Sequence, residues 1–119
     1  MGKEVSWLLE LSIKPGELDT GKALMAEMVD ATRANEPGTL AYEWSMDDAG
    51  TTCHIYERYA DSAATMAHMG SFGSKFADRF MAVFAPTGMT VYGEPDDEVR
   101  KALSAMGAVF MPPVGGFTR

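Results

Sequence analysis

Few side chains in this chain of 119 residues can move a proton near neutral pH: there are two histidines, His54 and His68, and one cysteine, Cys53. Cys53 and His54 are adjacent in a run with strand character, CHIYERY, so they point to opposite faces. A metal centre needs three or four converging ligands, and the expectation is therefore no metal. His54 is assigned to the outer sheet face or solvent, with no catalytic role. His68 is the first catalytic candidate: with an ordinary pKa of about 6.5, an imidazole can accept a proton near neutral pH from a substrate held against it. Glu57 is the second. Alternation along the strand places it with Cys53, Ile55 and Tyr59, and a carboxylate in that company can orient His68, balance its charge, or act as the base if desolvation raises its pKa. Two plainer readings compete: a helix histidine satisfied by a backbone or carboxylate partner, and a glutamate in a cross-strand ion pair. Trp7, Tyr42, Trp44, Phe72, Phe76 and Phe80 either line an aromatic pocket or fill the core. Asn35 and Arg58 offer polar contacts to a substrate oxygen, with Asn35 equally placed to cap a helix. No G-x-S-x-G, phosphate-loop or dinucleotide fingerprint occurs, so neither flavin nor nicotinamide has local support and no cofactor is expected.

The elements that must position these groups can be read from periodicity. Val5, Trp7, Leu9, Leu11 and Ile13 alternate with Ser6, Leu8, Glu10 and Ser12, which predicts a strand with one strongly apolar face. Lys14-Pro15-Gly16 is a turn, and Leu18 to about Asn35 follows as an amphipathic helix with Leu18, Leu24, Met25, Met28, Val29 and Thr32 in one arc. Glu36-Pro37-Gly38 ends it, because proline lacks the amide proton a continuing helix needs. Thr39 to Met46 alternates again, and Asp47-Asp48-Ala49-Gly50 turns it back as a hairpin into Cys53–Tyr59. Asp61 is the predicted cap of a short helix interrupted at Gly70, after which Ser71 caps a second. Phe72, Phe76, Phe80 and Phe84, four positions apart, then mark one stripe on that helix, with His68 a turn upstream. Pro86-Thr87-Gly88 reads as a turn and Met89 to Gly93 as a short strand. Pro95 to Met106 carries helix-start acids Asp96, Asp97 and Glu98 and ends at Gly107. The tail from Ala108 has apolar residues without helical period and must dock on its own domain or on a second subunit.

Strand, helix, strand, strand, helix, strand is the order of an α+β, ferredoxin-like split βαβ sandwich, helices on one face of an antiparallel sheet. The other face is then bare, and Leu8, Tyr56 and Tyr92 on it predict a partner, most economically a homodimer joined sheet to sheet. The length suits one domain: a core of residues 5–93 with an added helix and tail, 94–119. A net charge of −7 with scattered basic residues argues against nucleic acid and against an anionic membrane. No run is long and apolar enough for a membrane span and no signal peptide is evident, and one cysteine cannot form an internal disulfide, so the expected location is cytoplasmic. Ten methionines suggest an adaptable interior.

Three stretches in this order resemble the antibiotic biosynthesis monooxygenase family, which includes quinol and anthrone monooxygenases: Asn35-Glu36-Pro37-Gly38-Thr39-Leu40-Ala41-Tyr42, Tyr56-Glu57-Arg58-Tyr59-Ala60-Asp61, and Ala64-Thr65-Met66-Ala67-His68 with Ser71 and Phe76. The resemblance spans about residues 5 to 93 and implies a dimeric α/β barrel. It also implies a cofactor-free oxygenation, in which a deprotonated, electron-rich phenolic, hydroquinone or anthrone-like substrate itself reduces dioxygen. The protein then has to bind that small aromatic substrate, deprotonate it and shield it from water. Haem-degrading relatives carry a tryptophan near the position of His68 and a haem-ligating histidine further along the helix, where this chain has Asp78. A haem-handling protein is thus the least favoured reading, behind a non-catalytic dimer of the same fold that binds a small ligand or protects against quinones.

Overall fold

Strand β1 (Val5–Ile13) is the middle of the sheet and explains its own position: Val5, Trp7, Leu11 and Ile13 are buried on one face, as the alternation requires. The computed structural model describes residues 2–119. β3 (Thr52–Tyr59) and β4 (Phe84–Gly93) flank β1, both antiparallel to it. β2 (Thr39–Met46) pairs with β3, and β5 (Val109–Met111) pairs in parallel with β4, giving the order β2-β3-β1-β4-β5. The helices are α1 (Leu18–Asn35), α2 (Ser62–Lys75), α3 (Ala77–Val83) and α4 (Asp97–Ala105). This is the expected α+β, ferredoxin-like architecture.

The helices pack on the face that carries Trp7, Ile55, Tyr59 and Val91, and they do so as two separate cores. One gathers Leu24 and Met28 of α1 and Phe80 and Val83 of α3 over Leu11, Cys53 and Ile55. The second gathers Val99 and Leu103 of α4 over Val5, Trp7, Tyr59 and Val91. Each fully buried side chain of this size contributes roughly 1.5 to 3 kcal/mol. Neither core fills the seam between them. On the opposite sheet face Leu8 and Tyr56 are half-buried while Tyr92, Val109 and Met111 stand exposed.

Four local expectations need correction. The helix does not break at Gly70; α2 runs through both Gly70 and Gly73 to Lys75. A single glycine costs a helix only about 1 kcal/mol relative to alanine, and both glycines lie on its exposed side. The break comes at Phe76, whose φ of −127° leaves the helical range, and Phe84 is already in β4. The four phenylalanines therefore do not form one stripe on one helix, although Phe72, Phe80 and Phe84 still meet, with centroids 5.2 and 4.9 Å apart.

Likewise Pro86-Thr87-Gly88 is no turn but part of a ten-residue strand. Its irregularity is absorbed as a register shift opposite Glu10 and Leu11, where the missing proline amide does not break the ladder. Pro95 lies outside α4, whose cap is Asp96, accepting from the Val99 amide at 2.9 Å. Of the tail, Val109–Met111 docks on its own sheet as β5, a strand too short for periodicity to reveal, while Val114 and Phe117 stand exposed.

Candidate active site

The site is assembled from a turn, a strand and a helix. Pro37 stops α1, and the turn that follows is pinned at both ends: the Glu36 amide donates to Thr32 O at 3.0 Å and the Ala60 amide donates to Gly38 O at 2.9 Å. Gly38 is required there because a Cβ at that position would stand 2.6 Å from the Ala64 Cβ. Ala64 lies one turn before His68 on the same side of α2, so this close approach brings the turn against the histidine. Asp61 caps α2 as expected, accepting from the Ala64 amide at 2.8 Å.

His68 consequently lies between two carboxylates. Its Nδ1 is 2.7 Å from Glu36 Oε1 and its Nε2 is 3.2 Å from Glu57 Oε1, with all three side chains at or below 10% exposure. Glu57 Oε1 also accepts from the Tyr59 hydroxyl, and Glu36 Oε1 from the Thr39 hydroxyl at 3.2 Å. The ring of Tyr42 meets the imidazole edge-on, 5.3 Å between centroids.

Burial by itself pushes the His68 pKa down, but the hydrogen bond and charge of Glu57, joined by those of Glu36, outweigh it and hold the pKa above the ordinary value. Burial and the Glu57 charge push the Tyr59 and Tyr42 phenols far above their ordinary range, so both remain hydrogen-bond donors. The arrangement thus favours the charged form of an imidazole set between two acids, and Glu57 Oε2 is left free of the contacts to Tyr59 and His68.

A cavity of about 560 Å³ opens in the seam between the two cores. Of the residues selected from sequence, His68, Glu57, Trp7, Tyr42, Phe72 and Phe80 line it. The other four do not. Trp44 packs one row away against Phe80 and Phe84, with centroids 6.2 and 5.7 Å off. Phe76 is spent on the first core at the helix break. Asn35 is exposed and donates from Nδ2 to Ala31 O at 2.9 Å, and the helix cap is Glu36. Arg58 points to the opposite sheet face, as alternation from Glu57 demands, with Nε 3.5 Å from Glu4 Oε1 and no aligned hydrogen bond. His54 is on that face too, 3.6 Å from Glu10. Cys53 is buried, and burial pushes its thiol up to about 11.

Sequence reading gave no site role to Glu36 or Tyr59, and it expected an adaptable methionine-rich interior without saying which methionines: Met28, Met69, Met81, Met89 and Met106 line the cavity with Leu103. Glu36 had a signal: a carboxylate is unfavourable at the negative end of a helix dipole, so an acid closing α1 calls for a compensating partner.

Residues 5–82 match the profile of the family described as Antibiotic biosynthesis monooxygenase. No curated protein matches the sequence. Among solved structures, MupZ from Pseudomonas fluorescens superposes with a TM-score of 0.88 at 23% identity, over 99% of this chain and 96% of its own. A putative antibiotic biosynthesis monooxygenase from Nitrosomonas europaea gives 0.68 at 18% identity over 79% and 92%. SnoaB from Streptomyces nogalater, a cofactor-independent oxygenase, gives 0.66 at 14% identity over 80% and 96%.

Proposed function

The chain belongs to the antibiotic biosynthesis monooxygenase family, and from that premise we propose that it oxygenates a phenolic, hydroquinone or anthrone-like substrate with dioxygen and without a cofactor. The observation that carries this reading is the pairing of Glu57 with His68 at the polar end of an otherwise apolar cavity. Because both imidazole nitrogens already face carboxylates, the group presented to a ligand is Glu57, and His68 poises it. Glu57 accepts the substrate proton; the resulting anion reduces dioxygen by forming a carbon–oxygen bond, Glu57 returns the proton to the peroxide so formed, and cleavage of the O–O bond with loss of the remaining hydrogen on that carbon leaves the carbonyl product and one water. The apolar walls keep bulk water from quenching the anion. SnoaB, a cofactor-independent oxygenase of the same fold, is consistent with this chemistry.

The test is oxygen uptake with a panel of quinols and anthrones, wild type against Glu57→Gln. Turnover lost in the variant supports the assignment, and no uptake with any member of the panel rejects the oxygenase. A second reading, a non-catalytic protein that binds a small apolar ligand, is favoured by the largely apolar lining of the cavity; stoichiometric binding with unchanged ligand recovered under oxygen distinguishes it.

The working unit in this proposal is a homodimer joined through the open sheet face, where Leu8, Tyr56, Tyr92, Val109 and Met111 lie without a covering layer. Light scattering of Tyr92→Glu tests it: a monomer is expected, and an unchanged mass relative to wild type removes this face from the interface. Among the described residues no helix is long and apolar enough to cross a membrane, and nucleic acid has no place in the proposal.

A further inference from the structure

Glu36 faces two ways. Its carboxylate reaches His68 Nδ1 at 2.7 Å in the interior, and the same residue lines a second, smaller hollow of about 270 Å³ on the other side, with Thr32, Arg33, Thr39 and Tyr42. The large cavity is not lined by Glu36, so a ligand held there reaches His68 and Glu57 without touching it. Three features fix the carboxylate in place: the Thr39 hydroxyl at 3.2 Å, the backbone bonds that pin the turn, and the contact of Gly38 with Ala64. A side chain at the end of a helix, one-tenth exposed and held on several sides, is built for a task that packing alone does not require.

We infer that Glu36 is a positioning residue: it fixes the ring orientation of His68 through Nδ1, keeps the imidazole doubly protonated with Nε2 facing Glu57, and borders the second hollow, a route to this cluster apart from the ligand cavity. The chemistry follows from the donor count. A carboxylate only accepts, so two of them facing the two ring nitrogens call for an N–H on each. With a neutral group in place of Glu36, one carboxylate remains to hold the charge, and burial, which disfavours imidazolium, gains ground. The titratable groups facing His68 are Glu36 from the turn, Glu57 and Tyr59 from β3, and Tyr42 from β2; α3 and α4 bring only apolar residues to the cavity, among them Phe80, Leu103 and Met106. Arg33, in the second hollow, is exposed and 3.6 Å from Asp30.

The inference rests on Glu57 and His68 as the reacting pair, but its decisive test needs no substrate. Nitrogen-15 NMR of wild type at neutral pH is expected to show both His68 nitrogens protonated. A His68 with a bare Nδ1 overturns the inference even if no variant folds. In Glu36→Gln the His68 midpoint is expected to fall by about one pH unit or more, and Glu36→Asp to restore part of that shift. A midpoint in Glu36→Gln equal to wild type overturns it. In Glu36→Gly, sodium formate entering through the second hollow is expected to restore the doubly protonated signals with saturation; rescue no greater than with sodium chloride rejects the rear access. Where a substrate is found, the pH–rate profile of Glu36→Gln moves with the NMR midpoint. If no substrate turns over, the oxygenase reading fails while the NMR result still decides the role of Glu36.

Discussion

The two ends of the large cavity are built on opposite principles. At the inner end Glu36, His68, Glu57 and Tyr59 form one buried polar cluster: Glu36 Oε1 faces His68 Nδ1 and accepts from the Thr39 hydroxyl, and Glu57 Oε1 accepts from the Tyr59 hydroxyl with His68 Nε2 at 3.2 Å. Away from it Met69 and Met89, then the half-exposed Met81 and Met106 near the mouth, supply a largely apolar wall, with the exposed Thr87 beside them. A buried polar network has one good geometry and is costly when partly satisfied, whereas unbranched thioethers repack around different shapes. The inner end thus fixes what chemistry is done, and the outer end what can be brought to it.

The comparison is broken most sharply at the inner end. Glu57→Gln keeps size and hydrogen bonding but cannot accept a proton, so turnover is expected to fall about 10²- to 10⁴-fold, roughly 3 to 5 kcal/mol in the barrier. Initial rates check it, with near-ultraviolet circular dichroism confirming the fold. A loss below about threefold would mean that Glu57 is only a prop for the histidine.

Leu103→Ala attacks the outer half next. Leu103 is fully buried and faces both the second core and the cavity, so the expected cost is about 2 to 5 kcal/mol of stability, measured by urea unfolding. A cost near zero would show that α4 is a loose cover rather than a wall.

A smaller effect comes from pH. The His68 pKa is raised in the folded state by Glu57 and Glu36 against the pull of burial. Its contribution to stability is therefore complete below the unfolded imidazole's value of about 6.5 and is lost as pH rises through the folded value. The urea midpoint is expected to fall from neutral to mildly alkaline pH, and His68→Gln to flatten that slope. A wild-type midpoint rising over the same range would contradict the charged imidazole.

What the sequence revealed divides along the same line. Periodicity exposed β1, α1, β2 and β3, because each turns one apolar face inward, and strand alternation alone put Glu57 on the face opposite Arg58. His68 stood out because so few residues of its kind exist here. Glu36 did not, since a helix-ending Glu-Pro-Gly looks like punctuation, and only the approach of Gly38 to Ala64, distant in sequence, turns it inward. The helix break at Phe76 and the strand reading of Pro86–Gly88 were equally hidden, both being decided by long-range packing over local propensity. Trp44 and Phe76 failed as pocket residues for a related reason: aromatic composition marks an interior but cannot say where its void falls.

The finest test of the comparison is Met106→Ala. Met106 is 55% exposed yet lines the cavity, which places it at the mouth. Trimming a half-exposed side chain there is expected to change stability by less than about 0.5 kcal/mol. Ligands that fill only the inner end should bind as before, while those long enough to reach the mouth should lose or gain about threefold to tenfold in affinity. The His68 titration should not move, because no bond of the inner cluster reaches Met106. Fluorescence titration with short and long members of one ligand series measures the first effect, and nitrogen-15 NMR the second. If both ligand classes shift alike, or the histidine midpoint moves with them, the two ends are one cooperative unit, and the separation of chemistry from selection does not hold.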